Sequence, residues 1–236
     1  MRLRQVSLMT SSLWQAEREI INRLGVTIVN RDRVQELGLK NAVFLVGDTF
    51  LEVLEPVLPD VPGRRFLEQR GGSAGYMACL QVDDIAKAVE KVTEQGVRIV
   101  LNLDHLAYNE VVISSAHLHP ADTGGTFFSF EQPDPADSWA WGGLAWRHHR
   151  HDDVAQSIAG IVISTRDPIA LAERLSTLLD VTVDGPVLRL SQGGTITLTR
   201  DPDAMHDQLS AVELLAADRS RVGEELVIAG TTMRLV

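Results

Sequence analysis

The stretch Gly47-Asp48-Thr49-Phe50-Leu51-Glu52-Val53-Leu54-Glu55-Pro56 reads as a turn feeding a strand, and Gly125-Thr126-Phe127-Phe128-Ser129-Phe130-Glu131-Gln132-Pro133 repeats its form about 77 residues later. Each stretch closes a longer unit. In the first, an apolar strand over Leu3–Thr10 leads through a helix over Leu13–Leu24. In the second, a strand over Tyr76–Val82 leads through a helix that starts after Asp83 or Asp84 and stops at Gly96. Leu13, Ala16, Ile20, Ile21 and Leu24 recur at helical spacing, Ser11 or Ser12 supplies the N-cap, and Gly25 ends the helix. Further strands are expected over Thr27–Arg31 and Asn41–Val46 in the first unit, and near Val97–Leu101 and Glu110–Ser115 in the second. Pro56–Ser73, with a short helix over Arg64–Gln69, links them.

Beyond Gln132-Pro133-Asp134-Pro135 the periodicity stops, and Trp139, Trp141, Trp146 and the run His148-His149-Arg150-His151 follow. The tryptophans read as a plug between two domains and the histidine run as a solvated linker. Two weaker copies come next. One comprises strand Ile158–Ser164, helix Pro168–Leu179 and strands Val187–Leu190 and Thr195–Arg200. The other is abbreviated to strand Leu209–Ala216 and a hairpin over Glu225–Val236. The expected organisation is α+β, with tandem βαβββ modules forming two cup-shaped mixed sheets. Its parts are an N-terminal domain over 1–132, a linker over 133–156 and a degenerate domain over 157–236.

Composition narrows the partners. The 236 residues carry 32 acidic against 22 basic side chains, and a formal charge of −10 argues against nucleic acid and against an anionic membrane surface. A small organic ligand is the expected partner, with a homodimer as the assembly to consider. Cys79, the single cysteine, reads as a small core residue in a reducing compartment. Met1–Gln5 lacks the apolar core of a signal peptide, so the cytoplasm is expected. Gly71-Gly72-Ser73-Ala74-Gly75 is too short for a phosphate loop, and no dinucleotide fingerprint is present.

The quoted stretches, with Leu80-Gln81-Val82-Asp83-Asp84-Ile85 and His119-Pro120-Ala121-Asp122-Thr123-Gly124-Gly125, resemble the vicinal oxygen chelate superfamily of glyoxalase I, methylmalonyl-CoA epimerase, extradiol dioxygenases and antibiotic-resistance proteins. The resemblance covers residues 1 to about 132 well and 157–236 in outline. It implies a cup whose metal-dependent members carry ligands on the first and last strands of each module, positions that correspond here to Gln5, Glu52, Tyr76 and Ser129. Only Glu52 is a good ligand for Zn²⁺, Fe²⁺ or Ni²⁺, so no metal and no other cofactor is expected. Glu131 lies about 6.6 Å further along its strand than Ser129, too far to replace it. The second pair of modules offers Gly160, Leu198, approximately Ser210 and Arg234, which form no ligand set.

Glu52, enclosed by apolar neighbours, is the expected general base with its pKa raised by desolvation, and Tyr76 the donor to an enolate-like oxygen. Gln5 and Ser129 would orient substrate, and His117 and His119, two apart in an extended segment, would contribute to the pocket mouth. The leading expectation is a metal-free proton-transfer protein of the isomerase or lyase kind. The alternatives are a non-catalytic binding or resistance protein, and a divalent-metal enzyme of the glyoxalase, epimerase or dioxygenase type.

Overall fold

The computed structural model describes residues 1–34, 37–149 and 153–236. The first module contains β1 (Arg2–Met9), α1 (Leu13–Leu24), β2 (Ile28–Val34), β3 (Leu39–Val46) and β4 (Thr49–Pro56). After α2 (Pro62–Arg70), the second contains β5 (Ala74–Gln81), α3 (Ile85–Glu94), β6 (Ile99–Tyr108), β7 (Val111–Leu118) and β8 (Phe127–Asp134). Local chemistry sets the helix ends. Ser12 accepts a hydrogen bond from the Gln15 amide at the start of α1, and Gly25 ends that helix at φ 65°, in the left-handed region that glycine adopts without strain. Asp84 caps α3 through the Lys87 amide.

The eight strands form one sheet in the order β2-β3-β4-β1-β5-β8-β7-β6. β1 and β5 run antiparallel at its centre, while β1 with β4 and β5 with β8 are parallel, so the modules are related by a pseudo-twofold between β1 and β5. β8 continues through Gln132 and Pro133, where the sequence suggested a break. The last β5 partner is Gln81 opposite Glu131, and past that point a proline without an N–H costs the ladder nothing.

The second half contains β9 (Ala155–Thr165), α4 (Pro168–Leu179), β10 (Thr182–Asp184), β11 (Val187–Arg189), β12 (Thr195–Arg200), β13 (Gln208–Ala216), β14 (Glu225–Ile228) and β15 (Thr231–Leu235). Its seven strands follow the same plan, in the order β10-β11-β12-β9-β13-β15-β14. A single 3-10 turn over Arg219–Arg221 stands where the last module would carry its helix.

The two sheets share one core. Val6, Leu8, Ala78 and Leu80 of the first sheet belong to the same buried cluster as Ile161, Ile163, Val212 and Met233 of the second, with Ile20 of α1 and Leu175 of α4. At one junction, Gly47 turns at φ 63° so close to the Gln156 carbonyl that a Cβ would lie 1.8 Å from that oxygen. No helix among the described residues is long and apolar enough to cross a membrane.

Candidate functional site

Because strand side chains alternate, the first sheet turns its other face into a separate concavity. A second apolar cluster lies there: Val43, Leu45, Phe50, Met77, Cys79, Trp139 and Trp146. Polar groups are set among these apolar walls. Gln5, Ser7, Glu52, Ser115, Ser129 and Glu131 are all buried.

Glu52 is the centre of the first module's share. It stands between Ser7 on β1 and Val43 on β3. Its Oε2 accepts from Ser7 Oγ at 2.6 Å and Gln5 Nε2 at 2.9 Å, and its Oε1 from Asn41 Nδ2 at 2.7 Å. Burial raises its proton affinity, and these three donors oppose the rise.

A second carboxylate answers it from the other module. Glu131 Oε1 accepts from Ser129 Oγ at 2.6 Å and Ser115 Oγ at 2.9 Å, and its Oε2 from Trp141 Nε1 at 3.2 Å. Burial pushes its pKa up to about 7 against those donors, with the charge of Glu52 adding to the rise. The sequence reading set Glu131 aside as too far along the strand. That is corrected here: strand spacing fixes Cα positions, whereas this side chain folds back over Ser129, which serves as a donor to it.

Two bulges shift the register that the sequence suggested. Ser7 pairs with Met77 and Leu8 with Gly75, leaving Tyr76 as the extra residue, and Gln5 pairs with Cys79. Tyr76 is wedged between Phe66 and Phe127, each ring 5.0 Å away. Burial and then the Glu52 charge push its phenol up to about 12. Arg4 is the extra residue of the other bulge, between the pairs Leu3–Leu80 and Gln5–Cys79. Its buried guanidinium lies 5.4–5.7 Å from the Phe50, Trp139 and Trp146 rings and bonds Asp48 at 3.1 Å.

The two histidines separate. His117 pairs with Ser129 across β7 and β8, and burial pushes its imidazole down to about 4, so it is neutral near pH 7. His119 does not reach the cup. It lies half-buried beyond the end of β7, where its Nδ1 accepts from the Ala121 amide and is 3.2 Å from Arg98. Of the second-half positions, Leu198 points into the shared core and Arg234 pairs with Glu225 at 2.7 Å.

The tryptophans depart most from expectation. They lie inside the concavity of the first sheet, not between the two halves. Trp139 is fully buried, stacks on Phe50 and donates its indole N–H to Gln5 Oε1 at 2.8 Å. Trp146 meets Phe50 edge-on at 5.2 Å. His148 and His149 are exposed, and His151 lies outside the described residues. Surface clefts of about 240 and 300 Å³ lie elsewhere, beside Trp14 and Arg18 and between Ser11, Ser73 and Gly230.

A divalent ion does not fit this donor set. The lone pairs of Glu52 and Glu131 are directed at hydroxyl, amide and indole donors, and no group of three His, Cys, Asp or Glu side chains among the described residues could hold a metal.

Residues 6–179 match the glyoxalase-like domain, and the chain belongs to that family. Among curated relatives, bovine mitochondrial methylmalonyl-CoA epimerase is 30% identical over 132 residues, 56% of this chain and 74% of its own length. The uncharacterized protein YqjC of Bacillus subtilis is 25% identical over 132 residues and 92% of its length. A methylmalonyl-CoA epimerase solved with methylmalonyl-CoA and NH4+ superposes on 58% of this chain and 98% of its own, with TM-score 0.51 at 18% identity. A Staphylococcus aureus protein described as hypothetical superposes on 100% of this chain and 98% of its own, with TM-score 0.74 at 11% identity. These likenesses show the fold: an α+β protein of the vicinal oxygen chelate kind.

Proposed function

We propose that the cup of the first sheet binds a small acyl compound, with a coenzyme A thioester as the class to test first, and moves a proton at the carbon beside its carbonyl. The observation that carries this reading is the pair Glu52 and Glu131. They come from pseudo-symmetric modules into one apolar cup, each with proton affinity raised by burial. A carboxylate of raised pKa is a competent base near neutral pH, and a second one near pKa 7 can return the proton, which is the requirement of an epimerisation.

Glu52, oriented by Gln5, Ser7 and Asn41, takes the proton in this scheme. Glu131, oriented by Ser115 and Ser129, holds the other. The un-ionised Tyr76 phenol donates toward the enolate oxygen. The relatives named as methylmalonyl-CoA epimerases support the reaction class. A passive binding protein is the second reading, favoured by the indole N–H groups that already occupy Gln5 and Glu131.

Deuterium uptake from D2O into methylmalonyl-CoA tests the proposal. The purified chain should catalyse uptake, and Glu52→Gln should lower the rate by about 10²-fold or more while folding is retained. Unchanged uptake in that variant rejects Glu52 as the base. Binding without uptake in either form selects the passive reading.

A further inference from the structure

The connection between the halves occupies the place a ligand needs, and it is fastened there in an unusual way. Two single 3-10 turns, Ala140–Gly142 and Trp146–His148, are its only regular structure past Asp134 among the described residues. Its grip on the rim comes from side chains. Asn30 of β2 donates to the Trp141 carbonyl at 3.1 Å, and Asn109, just past β6, donates to the Ala140 carbonyl at 3.0 Å. β2 and β6 are the two edges of the sheet. The cup curls until these edges meet above the connection, where the Tyr108 hydroxyl bonds Asp32 and its ring lies 5.5 Å from Trp141. Tyr108 thereby bridges the rim and the segment beneath it.

The seat is imperfect on its polar side. Arg4 Nε and Gln81 Oε1 are buried without a hydrogen-bond partner. Arg4 lies against Trp139 and Trp146, and Gln81 holds the Ala136 carbonyl through its Nε2. Withdrawal of the segment hydrates both orphaned atoms, which offsets part of the apolar contact it gives up. Leu144, in the same segment, is already 62% exposed.

We propose that residues 135–149 are a displaceable plug, latched by Asp32 and Tyr108, which closes the cup in the resting chain and withdraws to admit ligand. This rests on the reading of the cup as a ligand site. Its consequence is that apparent affinity is the intrinsic affinity scaled by the open fraction, so loosening the latch tightens binding.

Cys79 is a built-in reporter. It is the single cysteine, buried on the cup wall in the cluster that Trp139 and Trp146 complete. Its labelling by N-ethylmaleimide, followed by mass spectrometry in increasing sub-denaturing urea, separates plug opening from unfolding. The expected result is a rate above that of global unfolding and nearly independent of urea. Tyr108→Phe should raise it about tenfold, the effect of one lost hydrogen bond, and Trp139→Phe should raise it with the ring volume largely kept. Labelling that tracks global unfolding in the parent and both variants overturns the plug. A gated Cys79 without deuterium uptake keeps the plug and rejects the chemistry. Uptake with Cys79 reached only through unfolding does the reverse.

Discussion

The two sheets are built to one plan and turn opposite kinds of inner face to their surroundings. In the first, Gln5, Ser7 and Asn41 around Glu52 and Ser115 and Ser129 around Glu131 are buried and drawn into a hydrogen-bonded set. In the second, Ile161, Ile163, Leu198 and Val212 all point into the shared core, and the opposite face carries Ser164, Thr197, Thr199, Ser210 and Arg234. Those hydroxyls bond each other, Ser164 to Ser210 at 2.8 Å, in partial contact with solvent. Its acid, Glu213, sits 3.8 Å from the half-exposed Arg234. The backbone topology is therefore neutral about chemistry. What distinguishes the halves is how completely the carboxylates are covered. Burial raises the pKa of Glu213 too, but it is only half-buried and the Arg234 charge opposes the rise, whereas Glu52 and Glu131 are buried among neutral donors. Desolvation is what turns an ordinary acid into a base that works near neutral pH.

The strongest way to break this comparison is to remove one acid from each sheet. Glu131→Gln should cut deuterium uptake by about 10²-fold, whereas Glu213→Gln should change it by less than about twofold. Equal losses would show that the second sheet takes part in the chemistry.

Stability against pH sharpens the same contrast. Glu131 binds its proton more tightly in the folded chain than in the unfolded one, its pKa moving from 4.5 to about 7. In that window the folded state holds the extra proton, so its contribution is full below about pH 4.5 and is lost as pH rises through about 7. The loss is on the order of 3 kcal/mol, and Glu52 adds to it in the same direction. Urea midpoints at about pH 5 and 8 should fall accordingly in the parent and much less in Glu131→Gln. His117, whose imidazole burial pushes down to about 4, pulls the other way in both chains, so the decisive quantity is the difference between parent and variant. Identical pH profiles for the two would deny that Glu131 is desolvated.

The smallest effects test the hydroxyls. Ser7→Ala removes a donor from buried Glu52 and should cost about 1–2 kcal/mol, while Ser210→Ala should stay within about 0.5 kcal/mol in the same denaturation assay. Similar values for the two would erase the distinction between a buried and an open face.

Much of the framework was legible because it is written in short-range chemistry: Ser12 and Gly25 bounding α1, the apolar stripe between them, and the repeated glycine turns before β4 and β8. Glu52 was legible for the same reason, as an acid in an apolar alternating strand. The rest depended on features with no period. A bulge inserts one residue without a sequence mark, so strand counting cannot show that Gln5 pairs with Cys79 and that Tyr76 is the extra residue. Glu131 was missed because side-chain reach is invisible to strand counting. The tryptophans lie in a segment without repeat, and nothing local says which surface will receive them.

The close approach at Gly47 carries a consequence for how the chain comes together. Next to that turn, Thr49 Oγ1 accepts the Ile158 amide, a bond between residues 109 positions apart, and the Leu3 amide donates to the Gly193 carbonyl. β1, the central strand of the first sheet, is thus held in part by backbone made late in synthesis. Contacts of such separation carry a large loop-closure entropy and slow the search for the native state. An emerging first half would wait with the apolar backs of β1 and β5 uncovered, and the period of greatest exposure to chaperones, or to other copies of the chain, lasts until β9 and β12 have followed.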